Sequence, residues 1–233
     1  MKVLMIGGTA FIGKAIVQCS LVAGHEVVLF NRGKSVPEPD FPLIKGDVNE
    51  LLEYKSQLRA FNPDVVVHCL AMTPQHAQDC VEVFKGTNTH LIILGSMDCY
   101  EAFQQLKNAQ EGSDFPIQES SPLSSTLYYW RGSNHSWAEN YDKNLMTQVF
   151  LDAHAQGWVQ PTVFRLPMVY GSHDYQYAYR HGSLIRRIYD QEKHLVLGAT
   201  EQSRLWTYGY VENIAAGVVH AYSRSQTVGS TTE

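Results

Sequence analysis

The residues whose types and spacing point first to chemistry are three glycines in the opening stretch KVLMIGGTAFIG, which runs from Lys2 to Gly13. Gly7 and Gly8 admit backbone angles that other residues avoid, and with no side chains they let a pyrophosphate approach backbone N–H groups at the positive end of a following helix. Gly13, one turn further on, lets that helix lie close to its strand. A second chemical signal is Asn31-Arg32, placed just after an apolar run. In a dinucleotide fold an acidic side chain here would bind ribose hydroxyls and repel a 2′-phosphate, whereas an arginine favours that phosphate. Asn31-Arg32 therefore leans toward NADP, with NAD as second choice. Other candidates are weaker. His135 has no cysteine or carboxylate at ligand spacing, so no metal site is expected there. The serines between Ser120 and Ser125 lack the strand-turn-helix context of a nucleophile elbow.

These residues need elements to hold them. Val3 to Ile6 is a short apolar run broken by Gly7-Gly8-Thr9, and helical spacing resumes from Gly13, so the order is strand, tight turn, helix. Glu26 to Phe30 reads as a second strand and Phe41 to Ile44, followed by Gly46-Asp47-Val48, as a third. Leu51 to Phe61 reads as an amphipathic helix. Pro63 to Ala71 is continuously apolar, as a strand buried on both faces should be. A helix from Gln75 to Phe84 and a fifth strand from Thr89 to Ser96 follow. Between Gln110 and Asn140 the pattern lapses into Gly, Ser, Pro and Asn with aromatics, including Tyr128-Tyr129-Trp130, as expected of a lid or binding loop. A helix from about Asp142 to Gln156, a sixth strand from Pro161 to Met168, a helix near Leu184 to Gln191, a short strand at His194 to Gly198 and a helix from Val211 to Ser223 complete the chain. The rhythm predicts a doubly wound α/β fold: a parallel Rossmann sheet with helices on both faces and ligands at the carboxyl ends of the strands. All 233 residues are expected to form one domain, with about 172–205 adding a small C-terminal substrate-facing lobe.

Composition narrows the partners. Apolar residues make up 44% and charged residues 18%, as in an ordinary globular protein, and a net charge of -5 gives no reason to expect nucleic acid. No stretch has the length and apolarity of a membrane span. The four cysteines, Cys19, Cys69, Cys80 and Cys99, show neither close pairing nor metal spacing and read as reduced core residues of a cytoplasmic protein. Small molecules are the expected partners.

At this point the sequence resembles the extended short-chain dehydrogenase/reductase superfamily of NAD(P)-dependent epimerases, dehydratases and reductases, in an atypical branch. The resemblance rests on Gly7-Gly8-Thr9-Ala10-Phe11-Ile12-Gly13, Gly46-Asp47-Val48, Ser96 four residues before Tyr100, Arg165 to Gly171, and Tyr210 to Ala215, and covers almost the whole chain. It implies that Gly7, Gly8, Thr9, Ala10, Phe11 and Ile12 hold the pyrophosphate, that Asp47 and Val48 contact adenine, that Leu70 and Ala71 pass beside ribose and phosphates, and that Pro167 borders the nicotinamide. It implies a substrate that is a small molecule or nucleotide sugar, Arg180 as a substrate ligand, and a homodimer as a family-level expectation. Ala10 departs from the family, which has glycine there. Longer relatives also continue past the position corresponding to Glu233, so the substrate side is expected to be open or short.

The resemblance also implies an active site. The family pairs a tyrosine with a lysine four residues later, where the ammonium lowers the phenol's pKa and binds ribose hydroxyls. Lys143 falls at the lysine, but the position four before it is Glu139. Tyr141 is two residues away and would aim into the site only if the helix starts at Asp142 or Lys143. Three readings stay open: Glu139 as acid/base; Tyr141, or a tyrosine of the Tyr128-Tyr129 pair, in that role; or cofactor binding without turnover, as in sensor members of the superfamily. Ser96 is the expected hydrogen-bond partner of substrate.

Overall fold

The computed structural model describes residues 1–35, 40–107, 116–174, 182–194, 207–223 and 230–232. Its centre is a parallel sheet of seven strands: β1 (Lys2–Ile6), β2 (Glu26–Asn31), β3 (Leu43–Lys45), β4 (Val65–His68), β5 (His90–Ser96), β6 (Gln160–Leu166) and, beyond a two-strand annex of β7 (Met168–Tyr170) and β8 (Tyr208–Tyr210), β9 (Ser230–Thr232). The order across the main sheet is β3-β2-β1-β4-β5-β6-β9, so the winding reverses between β1 and β4. A crevice therefore opens at the carboxyl ends of those two strands.

Alternation along each strand explains the layers. Leu4, Ile6, Phe30, Val66, Leu91 and Ile93 point into one core, which α3 (Pro74–Phe84) and α5 (Lys143–Ala155) cover. Val3, Met5, Leu29, Val65, Val67 and Ile92 point into the other, covered by α1 (Phe11–Val22) and α7 (Val211–His220). A strand with both faces buried favours apolar residues at successive positions, which is why Val65, Val66 and Val67 run consecutively. α2 (Lys55–Ala60), α4 (Glu101–Lys107) and α6 (Gly182–Tyr189) are shorter and peripheral.

Several elements differ from the sequence expectation. The helix expected over 51–61 is a 3₁₀ segment, Val48–Tyr54, kinked at Glu50 and followed by the short α2. Asp47 sets its start by accepting from the Asn49 amide. The parallel pairing of β7 with β8 and the strand β9 are additions, each strand only three residues long. The strand expected at 194–198, most of the proposed 172–205 lobe and Arg180 lie outside the described residues. Arg186 and Arg187 pair with Asp190 and Glu192 on a solvated helix face.

Gly13 is where helix and turn meet. A Cβ there would lie 2.7 Å from the Gly8 Cα, a contact with backbone that no side-chain adjustment relieves. Gly217 in α7 has nothing within 4 Å of the same position. Gly13→Ala is expected to cost about 1–3 kcal/mol of unfolding free energy by overpacking, whereas Gly217→Ala should be neutral or stabilise by about 0.5–1 kcal/mol, the ordinary helix preference. Urea denaturation of the two variants checks this, and equal effects would contradict it.

Candidate active site

A cleft of about 1340 Å³ opens at the carboxyl ends of β1, β4 and β5 and runs from Asn31 and Arg32 at one end to Ser96 and Pro167 at the other. The turn residues 7–12 form its floor. Gly7 and Gly8 take φ of 100° and 92°, and Phe11 enters α1 at φ 38°, a conformation side chains rarely adopt, so the backbone itself is fixed at the site. Ala10 caps α1 without a side-chain hydrogen bond and the first turn carries no acidic residue. The helix thus presents its amides and positive end to the cleft with no internal anion to satisfy them.

At the β2 end the Asn31 side-chain oxygen accepts from the Gly33 amide at 2.6 Å, while its buried Nδ2 has no partner among the described residues. Arg32 and Lys34 line the same end, and Ser35 donates to the Thr9 hydroxyl at 2.9 Å, tying this loop to the glycine turn. Asp47, Val48 and Leu70 also line the cleft. The Asn49 amide holds the Asp47 carboxyl below its ordinary range. His76, at the start of α3, contacts the Asn49 side-chain oxygen at 3.0 Å and joins that wall to the helix.

Lys143 is the first residue of α5 and is buried, with Nζ donating to the carbonyls of Ala71 at 2.6 Å and Leu94 at 2.9 Å. Ala71 is thereby used as a lysine acceptor; its side chain is fully buried and lies off the cleft wall. Burial lowers the Lys143 pKa to about 8, against which the Asp98 carboxylate pulls upward.

The helix begins at Lys143, with Asp142 as its cap accepting from the Asn144 and Leu145 amides. Tyr141 therefore precedes the helix and turns inward. Its hydroxyl donates to Asp98 Oδ2 at 2.8 Å and also interacts with Ser96, and burial together with the Asp98 charge raises its pKa well above the ordinary phenol value. The tyrosine-lysine pair of the superfamily implies a lowered phenol pKa; here burial, reinforced by the Asp98 carboxylate, moves it the other way. Ser96 reaches the cleft, whereas Tyr141 stands behind it, only 6% exposed. Glu139 also lines the cleft, but its side chain is 69% exposed and paired with Arg131 at 3.1 Å, a solvated rim position.

Asp98 is the site residue that sequence reasoning missed. Its carboxylate accepts from the hydroxyls of Tyr129 at 3.0 Å and Tyr141 and from the Trp130 indole at 3.1 Å. The loop carrying those aromatics borders the cleft through Tyr128, Ser136 and Trp137. Trp137 is packed edge-on against Tyr141 and stacked on His135. The only advance signal was an aspartate two residues after Ser96 at a strand end.

A glycine turn at the switch point of a parallel sheet, with bare helix amides beneath a long cleft, defines a Rossmann-type protein built to receive a dinucleotide. Residues 3–231 match the model of the NAD dependent epimerase/dehydratase family, and the chain belongs to that family. Among solved structures, it is similar to dTDP-glucose 4,6-dehydratase from Bacillus anthracis in complex with NAD, with TM-score 0.74, 16% identity, 99% of this chain and 74% of that one covered. It is also similar to UDP-glucose 4-epimerase from Bifidobacterium longum in complex with NAD+ and UDP, with TM-score 0.74, 17% identity, 100% of this chain and 77% of that one covered. UDP-N-acetylglucosamine 4-epimerase from Bacillus cereus matches with TM-score 0.71 at 18% identity over 99% of this chain and 74% of that one. No curated protein sequence matches. Among the described residues no helix is long and apolar enough to cross a membrane.

The depressed Lys143 pKa makes a stability prediction. The unfolded chain holds a lysine proton up to about pH 10.4, the folded one only up to about 8. Between those values the unfolded state binds more protons, so stability rises with pH. Relative to Lys143→Met, the unaltered protein should gain on the order of 3 kcal/mol between pH 8 and 10.5, measured by chemical denaturation at each pH. A flat difference would contradict the buried, desolvated ammonium.

Proposed function

We propose that the protein is an NADP-dependent epimerase, dehydratase or reductase acting on a small molecule or nucleotide sugar. The observation that carries this reading is the pairing, in one cleft, of the bare α1 terminus with Ser96 and the buried Lys143. The residues fit a dinucleotide: the turn has no side chains where phosphates would lie, and the Asn31 Nδ2 is an unsatisfied donor at the ribose end. Gly7 to Ile12 would hold the pyrophosphate, Asp47 and Val48 the adenine, Leu70 the ribose-phosphate wall, Pro167 the nicotinamide border and Lys143, through its remaining N–H, a ribose hydroxyl. When bound, the nicotinamide supplies a hydride acceptor or donor.

The chain's own groups handle the proton. Ser96 meets a substrate hydroxyl or carbonyl oxygen, and Tyr141 behind it serves as acid/base through the serine. The Tyr141 proton is donated to Asp98 Oδ2, so a proton that Ser96 takes from a substrate hydroxyl would pass to the phenol oxygen as the phenol's own proton moves to the carboxylate. Trp137 and Tyr128 give the substrate end of the cleft an aromatic wall. NADP is favoured over NAD because Arg32 and Lys34 follow β2 where an acidic residue would otherwise meet the ribose hydroxyls, the nearby Asp47 carboxylate being held by Asn49. The solved relatives in complex with NAD or NAD+ support a nicotinamide cofactor without deciding the 2′-phosphate.

Fluorescence titration with NADPH and NADH tests the cofactor preference. NADPH should bind tighter, and Arg32→Ala should weaken it about tenfold, one charge-assisted hydrogen bond, while leaving NADH nearly unchanged; equal affinities in the unaltered protein would refute NADP. Turnover of nucleotide sugars or small ketones should fall about 100-fold in Ser96→Ala. Activity that survives this change intact removes Ser96 from the reaction.

A further inference from the structure

Asp98 lies in a 3₁₀ turn, Met97–Cys99, directly after β5, and is 7% exposed. Its backbone is fixed on both sides: the amide donates to Ser96 Oγ at 3.3 Å and the carbonyl accepts from the buried Gln104 at 2.8 Å. The carboxylate meets its three aromatic donors from chain positions 31, 32 and 43 residues away. No cation pairs with it among the described residues. A buried carboxylate is costly unless its lone pairs are filled, so these donors are bound to it as tightly as it depends on them.

The donors belong to one loop with both ends tied down. At its start the Ser124 amide donates to the Cys99 carbonyl at 2.8 Å, and the Tyr128 amide donates to Asp142 Oδ2 at 2.9 Å. At its end the Asp142 amide donates to the Met72 carbonyl at 3.2 Å. Between these ties the aromatic rings pack edge to face, Tyr129 on Tyr141 and Trp130 on Trp137, and Asp98, in the turn that directly follows the strand carrying Ser96, accepts from three of them.

We propose that Asp98 is a positioning residue: by accepting from Tyr129, Trp130 and Tyr141 together, it fixes the Tyr141 hydroxyl with its oxygen beside Ser96 and holds the Trp137-bearing loop as the wall of the substrate end of the cleft. The inference rests on the catalytic reading above for its effect on turnover, but not for its effect on structure. It assigns the loop's order to one carboxylate rather than to hydrophobic packing. It also separates the two ends of the cleft, because the hydrogen bonds of Asp98 run to Ser96, Gln104 and the aromatic loop rather than to the glycine turn.

The test uses Asp98→Asn, which keeps the shape but removes the charge and part of the acceptor capacity, with Tyr141→Phe and the double variant. The Trp130 indole N–H resonance, assigned with Trp130→Phe, is the direct readout, and Trp158, packed under Lys85 away from the loop, is its internal reference. In Asp98→Asn the Trp130 signal should move and lose protection from hydrogen exchange at least tenfold, with Trp158 unchanged and NADPH affinity within twofold. The turnover number should fall at least tenfold with the cofactor KM unaltered. Adding Tyr141→Phe to Asp98→Asn should then change turnover less than twofold, since both act through one bond. An unmoved Trp130 resonance, or losses that multiply in the double variant, overturns the proposal. Absence of turnover in the unaltered protein would sink the catalytic reading alone; the indole signal would still decide the role of Asp98. If Asp98→Asn does not fold, Tyr129→Phe removes one donor only, and an unchanged Trp130 exchange rate there overturns the shared-acceptor account.

Discussion

The structure depends on how closely α1 packs onto the end of β1. With hydrogen alone at Gly13, the helix settles against Gly8 and brings a set of backbone amides to the floor of the cleft. An acidic first turn or a side-chain cap would have satisfied those amides internally; Ala10 and the residues after it leave them to a ligand. Phosphate is the chemical group that fits, since several N–H donors and a helix dipole converge where no side chain intrudes. The rest of the sheet holds this one contact in register. Its two apolar faces fix β1 between β2 and β4, and the reversal of winding there leaves the crevice open.

The far end of the cleft is governed by charge in a dry environment. Lys143 and Asp98 are both buried, without direct contact, and each is satisfied by a different set of neighbours: the ammonium by two carbonyls, the carboxylate by three aromatic donors. Burial first, and then the Asp98 carboxylate, raise the phenol's pKa, so Tyr141 keeps its proton where the superfamily's usual pairing would loosen it. Ser96 meets the cleft directly, beside Lys143. The consequence is a Ser96-Tyr141-Asp98 chain whose geometry is tied to the loop that borders this end of the cleft.

Much of this was legible in the sequence. Continuous apolar runs such as Val65-Val66-Val67 mark strands buried on both faces, and the spacing of Gly7, Gly8 and Gly13 marks the turn because a backbone contact leaves no other residue type usable. Lys143 was found by its place before the sixth strand. The orientation of Tyr141 was conditional, because it turns on whether α5 starts at Asp142 or Lys143, and a one-residue boundary is decided by the Asp142 cap rather than by periodicity. Asp98 stayed hidden for a different reason. Its partners come from a stretch with no repeat pattern, and nothing local distinguishes an aspartate that gathers distant aromatics from one that faces water. The three-residue strands β7, β8 and β9 are too short for any alternation to register.

The central claim is that amides just beyond β1 grip a dinucleotide's phosphates, and backbone resonances report on it directly. Titrating labelled protein with NADP+ should move the amide signals of Phe11, Ile12 and Gly13 downfield in proportion to saturation, with ADP-ribose reproducing the shifts because it carries the same pyrophosphate. Saturable binding that leaves those three amides unmoved, or no binding of either compound, would contradict the account.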